Sequence, residues 1–501
     1  MIAPLVQRCR AGLCVDVVGA VLGPLMFGVV SLWNPFGIPQ AANAVLAGTL
    51  WVVIWWVTEP VHLAVTSLVP IPVFSQTGVV EVDAITAQYA HPIVFLLLGG
   101  FMLALAVERC HLHRRLAIVF MANIGGAPAR LLLGIMAVTA FLSMWISNTA
   151  TAMLMLPIAV AIALAGTDDI DDAPTLSPGE SAEEIDAPDE TLSKGFGLAL
   201  LLGVAFGANI GGAATLIGSP PSAIFAGIAG SQLGVDVGFL DWMIYAVPLV
   251  VVTLLAAWGI IIWLTDPSSA IDEEFARKYY AGMSAMESDE RRVTLVFGLV
   301  IVAWLLRPVA IEPFLPGLTD HVIAVIGGIG LFLVPGGPDG DDRLLSWEDA
   351  AALPWDVLLL IGGSFAVAHA FQVGGLDEVV AQSLAGLQWM SVLVLIATVV
   401  TAVMVLSNLM SNTATATVFL PILVAFAPLA SSPPLYLMAP TALAASFVFV
   451  LPVGTPPNAI AYGSGQLDIA QMVRVGIVIN LLCIPLVALL SYLWLPLTPF
   501  G

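Results

Sequence analysis

The twelve residues Ser147-Asn148-Thr149-Ala150-Thr151-Ala152-Met153-Leu154-Met155-Leu156-Pro157-Ile158 recur later in the chain as Ser411-Asn412-Thr413-Ala414-Thr415-Ala416-Thr417-Val418-Phe419-Leu420-Pro421-Ile422, with nine of twelve positions identical. Each copy sets Ser, Asn and Thr inside an apolar block, 131–165 or 390–428, where hydroxyl and backbone groups have no water to bond. A block of about 35 residues suffices for two half-depth helices joined by a polar turn. Each block therefore reads as a re-entrant hairpin with Ser-Asn-Thr at its tip.

Working outward, the repetition continues. Leu97-Leu98-Gly99-Gly100 is echoed by Leu360-Ile361-Gly362-Gly363, and Gly218-Ser219-Pro220-Pro221-Ser222-Ala223-Ile224 by Gly454-Thr455-Pro456-Pro457-Asn458-Ala459-Ile460. The Ser147–Gly218 and Ser411–Gly454 spacings, 71 and 43 residues, differ by 28, nearly the length of an acidic segment at 166–194. Without that insert the halves come into register, as repeat 1 over about 41–264 and repeat 2 over about 293–497, joined by the loop 265–292. Five crossings and one hairpin in each make the second copy start from the opposite face, so the repeats are expected to be inverted.

Of the 501 residues 59% are hydrophobic and 10% charged, and mean hydropathy is +1.01, which places the chain among all-α polytopic membrane proteins with one membrane domain over 1–501. About 11 transmembrane helices plus two re-entrant hairpins are expected, with spans near 16–33, 41–57, 61–77, 92–109, 195–228, 242–264, 293–312, 319–335, 354–373, 436–463 and 469–497. The first apolar run is long enough to be a span rather than a cleaved signal. Net charge is −21, and ten acidic residues fall between Asp168 and Glu190 in a Pro/Ser-rich stretch that reads as a solvated linker. Such acidity suits a salt-rich environment and points to no nucleic-acid partner. The four cysteines (9, 14, 110 and 483) have no metal or disulfide spacing. Arg8 and Arg10, then Arg109, Arg114, Arg115 and Arg130, then Arg277, Lys278, Arg291 and Arg292 all fall on one side if the N-terminus is cytoplasmic, which also puts 166–194 and 265–292 inside a cell membrane.

Gly-X-Pro-Pro in mid-span removes two backbone donors and disfavours helix before the first Pro, so the helix breaks and frees carbonyls. Two breaks and two tips meeting near the midplane offer helix N-termini to an anion and hydroxyl, amide and carbonyl oxygens to Na⁺. Neither tip nor break holds Lys or Arg, so an anion there depends on co-bound cations. Ser143/Ser147 and Ser407/Ser411 are four apart, on one helix face. Other polar or glycine positions have plainer readings. The Gly-Gly pairs suit close helix packing, Glu59 and Glu108 sit at span ends, His369 is a packing residue before it is a pH sensor, and Arg307 snorkels or pairs.

These residues resemble the divalent anion:sodium symporters, carriers of dicarboxylates, citrate or sulfate. The resemblance covers nearly the whole chain and includes Trp55-Trp56-Val57-Thr58-Glu59-Pro60, Ala64-Val65-Thr66-Ser67-Leu68-Val69-Pro70, Leu98-Gly99-Gly100-Phe101-Met102, Leu112-His113-Arg114-Arg115-Leu116 and both Ser-Asn-Thr copies. It implies that Ser147, Asn148, Thr149, Ser411, Asn412, Thr413, Thr455 and Pro456 contact substrate. It further implies one Na⁺ site from Ser143, Ser147, Asn148 and Gly218, a second from Ser407, Ser411, Asn412, Gly454 and Pro456, a homodimer, and an elevator-type movement. Ser222 departs from the family's usual Asn; being shorter, it is expected to loosen the first cation site or alter its selectivity.

The function expected is Na⁺-coupled uptake of a small divalent anion, foremost a C4 dicarboxylate such as succinate, malate or fumarate. Na⁺-independent dicarboxylate exchange and Na⁺-coupled sulfate or citrate transport stay open. A channel suits an occluded midplane site less well than alternating access. An intramembrane enzyme would need an Asp pair, His-Glu-X-X-His, or a Ser with a nearby base in a span, and the sequence displays none of these.

Overall fold

The computed structural model describes residues 13–121, 127–165, 195–267, 286–337, 342–387, 389–430 and 432–500. The expectations for Arg8, Arg10, the acidic segment 166–194, Arg277 and Lys278 lie outside these. The described chain is helical, with one two-stranded ribbon pairing Pro335–Gly336 to Asp342–Arg343.

The helices that build the molecule are α1 Leu13–Trp33, α2 Gln40–Thr58, α3 Pro92–Arg109, α4 Pro128–Ser143, α5 Asn148–Ala165, α6 Gly195–Gly212, α7 Pro220–Ile228, α8 Phe239–Thr265, α9 Ser288–Leu306, α10 Asp320–Leu333, α11 Trp355–Gly374, α12 Val392–Leu409, α13 Asn412–Leu429, α14 Pro434–Ser446, α15 Pro456–Gly463 and α16 Ile469–Trp494. Helices α3, α4, α7, α14 and α15 begin with Pro, which sits where its missing N–H costs nothing.

Among the described residues nine helices are long and apolar enough to cross a membrane. They are not a subset of the expected spans, because α12 and α13 are hairpin arms. The segment expected as span 61–77 divides into Leu63–Thr66 and Pro70–Gln76. Residues 67–69 form a tight turn, with Leu68 and Val69 bonding three residues back to Val65 and Thr66, and Pro70 starts the second piece. Helix α10 has only 14 residues, and 436–463 is interrupted.

Both hairpins form. Helices α4 and α5 are joined by residues 144–147 and pack on each other, as do α12 and α13 across Met410 and Ser411. Their arms have 16 and 18, then 18 and 18 residues. At 1.5 Å per residue that is about 24–27 Å, longer than the half-depth arms expected, because nearly every residue of each block enters helix.

The Gly-X-Pro-Pro segments break their helices as anticipated: α6 stops at Gly212 and α7 starts at Pro220, while α14 stops at Ser446 and α15 starts at Pro456. Helix α5 packs on α6 and α15, and α13 on α14 and α7. Each hairpin thus lies against the first segment of its own broken helix and the second segment of the other.

Beside these elements α1 packs on α2, α3 and α9 pack on α10, and α11 packs on α2 and α13. Helix α3 meets α10 at Gly99, where a Cβ would stand 2.4 Å from the carbonyl carbon of Ala324. Gly363 faces Ser67 in the same manner, 2.4 Å from its oxygen. Both Gly-Gly pairs are therefore close-packing positions. Gly99→Ala is expected to lower stability by about 1–3 kcal/mol, read as a lower melting temperature in detergent, because α3 and α10 must separate.

At one end of the molecule Arg115 binds both oxygens of Glu290, at 2.9 and 3.0 Å, and Arg109 pairs with Asp349. Burial pushes the Asp349 carboxyl up, but the Ser346 amide and hydroxyl and the Arg109 guanidinium hold it below its usual value. Elsewhere Arg307, 8% exposed, forks between Asp320 and Asp236 at 3.0 Å each, and Asp320 also accepts the Phe239 amide at 2.7 Å. Arg307 therefore joins the α9–α10 connection to the segment that leads from α7 into α8.

Candidate substrate and cation site

The first tip and the first break close on each other. Ser143, the buried last residue of α4, has its hydroxyl 2.5 Å from Asn148 Oδ1 and 2.8 Å from the Ala208 carbonyl. A hydroxyl has one proton, so two acceptor oxygens share a single donor. Oxygens also crowd the two glycines nearby: a Cβ at Gly218 would stand 2.5 Å from Gly212 O and 2.7 Å from Ser143 O, and one at Gly212 would meet Asn148 Oδ1 at 2.2 Å and Gly218 O at 2.9 Å. Only glycine at 212 and 218 lets these oxygens approach. Ser147 caps α5, its hydroxyl accepting the Ala150 amide at 3.1 Å, and Thr149 follows in the first turn, partly exposed.

The second side has the same parts in a looser arrangement. Ser407 is fully buried in α12, and its hydroxyl has no hydrogen-bond partner. A Cβ at Gly454 would lie 3.5 Å from both the Ser407 and Asn408 carbonyls, so this break also faces the hairpin arm. Asn412, however, turns its oxygen onto the amide of Thr413 at 2.7 Å and its hydroxyl at 3.2 Å, rather than toward Ser407. Ser411 stands at the start of α13 without a side-chain capping bond, Thr413 is buried in the first turn, and Thr455 is the buried, extended residue before α15. Pro456 is exposed, at the start of α15.

Residues beyond the motifs complete both sides. The Thr215 hydroxyl lies 2.5 Å from the Met144 carbonyl and accepts the Gly218 amide at 3.1 Å, tying tip to break. Asn408 does the corresponding work opposite, its oxygen accepting the Val450 and Phe449 amides at 2.9 and 3.3 Å. Across the two breaks, Ser219 and Ser446 share a hydroxyl bond at 2.7 Å, and Asn209 donates to Thr455 at 3.0 Å. Asn209, Thr215 and Asn408 carried one visible signal, a polar side chain in an apolar run. Asn458, held by Asn209, has Ser222 as its counterpart, and the Ser222 hydroxyl is buried without a partner.

Charge comes from the backbone. Helices α5, α7, α13 and α15 present N-termini at the tips and breaks, and α4, α6, α12 and α14 present C-terminal carbonyls. The former favour an anion and the latter a cation. Among the described residues no cluster of His, Cys, Asp or Glu suited to a metal occurs, so the ligands on offer are neutral oxygens. A hard monovalent cation such as Na⁺ fits that donor set, and fits the proton-poor cluster at Ser143.

Interrupted helices that bring such oxygens into the interior of an apolar helical body define a polytopic membrane transporter. The chain belongs to the family whose model is described as sodium:sulfate symporter transmembrane region, which matches residues 19–499. It is 38% identical over 492 residues to the sodium-dependent dicarboxylate transporter SdcS of Staphylococcus saprophyticus, covering 96% of this chain and 92% of that protein. It is 35% identical over 493 residues to the protein of the same name from Staphylococcus aureus, with the same coverage. Among solved structures the Alcanivorax borkumensis YdaH transporter aligns with a TM-score of 0.56 at 14% identity, over 92% of this chain and 99% of that one, which is a likeness of fold.

Proposed function

We propose that this chain is a Na⁺-coupled importer of small dicarboxylates, C4 acids such as succinate, malate or fumarate, and that it performs no covalent chemistry. The observation that carries this reading is the Ser143 hydroxyl, whose one proton faces both Asn148 Oδ1 and Ala208 O beside the carbonyls of Ser143, Gly212 and Gly218. A cation among those oxygens relieves their mutual repulsion. Family membership and likeness, at 35–38% identity, to sodium-dependent dicarboxylate transporters support the same substrate pair.

In this reading Ser143, Ser147, Asn148 and Gly218 hold one Na⁺, and Ser407, Ser411, Asn412, Gly454 and Pro456 a second. Asn412 must then leave Thr413 to complete its side. The two Ser-Asn-Thr tips, with Thr455 and Pro456, take the two carboxylates of one substrate. With no Lys or Arg in either tip or break, the dianion gains its counter-charge from the cations and helix N-termini, so it binds after Na⁺. The repeats are inverted, the N-terminus faces the cytoplasm, and the hairpin body moves as an elevator against the outer helices in a homodimer within the cell membrane.

In proteoliposomes, an inward Na⁺ gradient is expected to raise succinate uptake about tenfold or more over a K⁺ gradient, with saturation in both Na⁺ and succinate. Equal uptake in K⁺, or succinate counterflow without Na⁺, overturns the symport reading in favour of exchange. Sulfate or citrate competing better than succinate overturns the substrate.

A further inference from the structure

Asn209 lies in the last turn of α6 and is 0% exposed. Its Nδ2 stands 2.8 Å from Val448 O, 3.0 Å from Thr455 Oγ1 and 2.9 Å from Asn458 Oδ1. Two N–H groups thus serve three acceptors, and all three belong to the break between α14 and α15 or to the first turn of α15. Its own Oδ1 is buried with no partner, so the amide gains nothing on its own side of the interface. Asn458 in turn spends its Nδ2 on Val448 O at 3.2 Å and Leu451 O at 3.1 Å. The path of the second break therefore hangs on the Asn209–Asn458 pair.

The residue immediately before Asn209 matters equally. Ala208 gives its carbonyl to the Ser143 hydroxyl and so forms part of the first oxygen cluster. One peptide unit of α6 touches both clusters, the backbone on the first side and the next side chain on the second. The reciprocal crossing, Ser219 to Ser446, is a single hydroxyl bond between short side chains. A shift of α6 on filling the first cluster is transmitted through three polar contacts in one direction and one in the other.

We infer that Asn209 is a positioning residue that couples the two cation clusters, setting Thr455 and the Gly454 carbonyl according to the occupancy of the cluster at Ser143. It touches neither substrate nor Na⁺ in this scheme, and the inference rests on the Na⁺-coupled reading above. A purely structural amide would affect stability or maximal rate; a coupling residue affects how the rate depends on Na⁺.

The test is succinate uptake by the full chain in proteoliposomes, measured against Na⁺ concentration at saturating succinate. The wild type is expected to show a Hill coefficient above one. Asn209→Ala should lower it toward one and raise half-saturating Na⁺ about fivefold or more, with the maximal rate at high Na⁺ retained. Asn209→Ser, which keeps one donor, should fall between. Where Asn209→Ala is not recovered folded, Asn209→Ser and the near-isosteric Asn209→Leu, which removes the donors without adding charge, decide in its place. An unchanged Hill coefficient and half-saturation with only a lower maximal rate overturns the inference. A wild type with hyperbolic Na⁺ activation overturns the coupling and leaves Na⁺ symport standing; a wild type indifferent to Na⁺ overturns both.

Discussion

Gly218→Ala is expected to reduce Na⁺-driven uptake by about a hundredfold, or ~2.7 kcal/mol, at Na⁺ concentrations that half-saturate the wild type. The added methyl would lie 2.5 Å from Gly212 O, 2.7 Å from Ser143 O and 3.1 Å from Gly212 C, all backbone atoms that cannot rotate away. The break must retreat from the hairpin, taking the Gly218 carbonyl out of the cluster and straining the Thr215 link to Met144. Gly298→Ala provides the control, since nothing lies within 4 Å of a Cβ there and alanine is the better helix former. Uptake measured over a Na⁺ series should separate the two variants; equal activity would show that close approach at Gly218 serves packing alone.

The second large effect is on stability. Arg307→Met is expected to cost about 3 kcal/mol, seen as a lower melting temperature of the detergent-purified protein. Asp320, 6% exposed, would keep only the Phe239 amide as a partner for a buried carboxylate whose Oδ1 already has none. Asp236 and Glu312, whose side chains are 78% and 49% exposed, lose little when Arg307 goes. The cost therefore arises from one stranded charge, and the double variant Arg307→Met/Asp320→Asn should recover most of it. A double variant no more stable than the single would assign the loss to the packing of the arginine stem instead.

The candidate site could be proposed from sequence because its residue pattern is written twice. Ser147 and Ser411, Gly218 and Gly454 occupy matching positions in two apolar blocks, and the only obstacle to alignment was the insert at 166–194. Tips and breaks, being interruptions of apolar runs by Pro, Gly and clustered hydroxyls, announce themselves locally. Asn209 was another matter: its partners lie 239 to 249 residues away, and one polar residue in Gly-Ala-Asn-Ile-Gly does not say which distant carbonyl it meets. Thr215 was hidden for the same reason, with its acceptor on the other side of the acidic insert. The division of 61–77 was missed because hydropathy outweighed Pro70 in the reading of that stretch. The turn of Asn412 onto Thr413 depends on a side-chain rotamer, which a residue pattern does not encode.

The prolines at the restart of α7 and α15 carry a kinetic consequence. An interruption made of glycine alone can anneal into continuous helix when the surroundings change, and its carbonyls then vanish into the ladder. Pro220-Pro221 and Pro456-Pro457 have no N–H to return, and they hold Ser219 and Thr455 extended, at φ −140° and −149°. Neither gap can close into a complete hydrogen-bonded ladder, because two successive residues in each lack the donor. In the transport cycle proposed above, the segments beside each notch would therefore shift as bodies, and the notches would keep their carbonyls free.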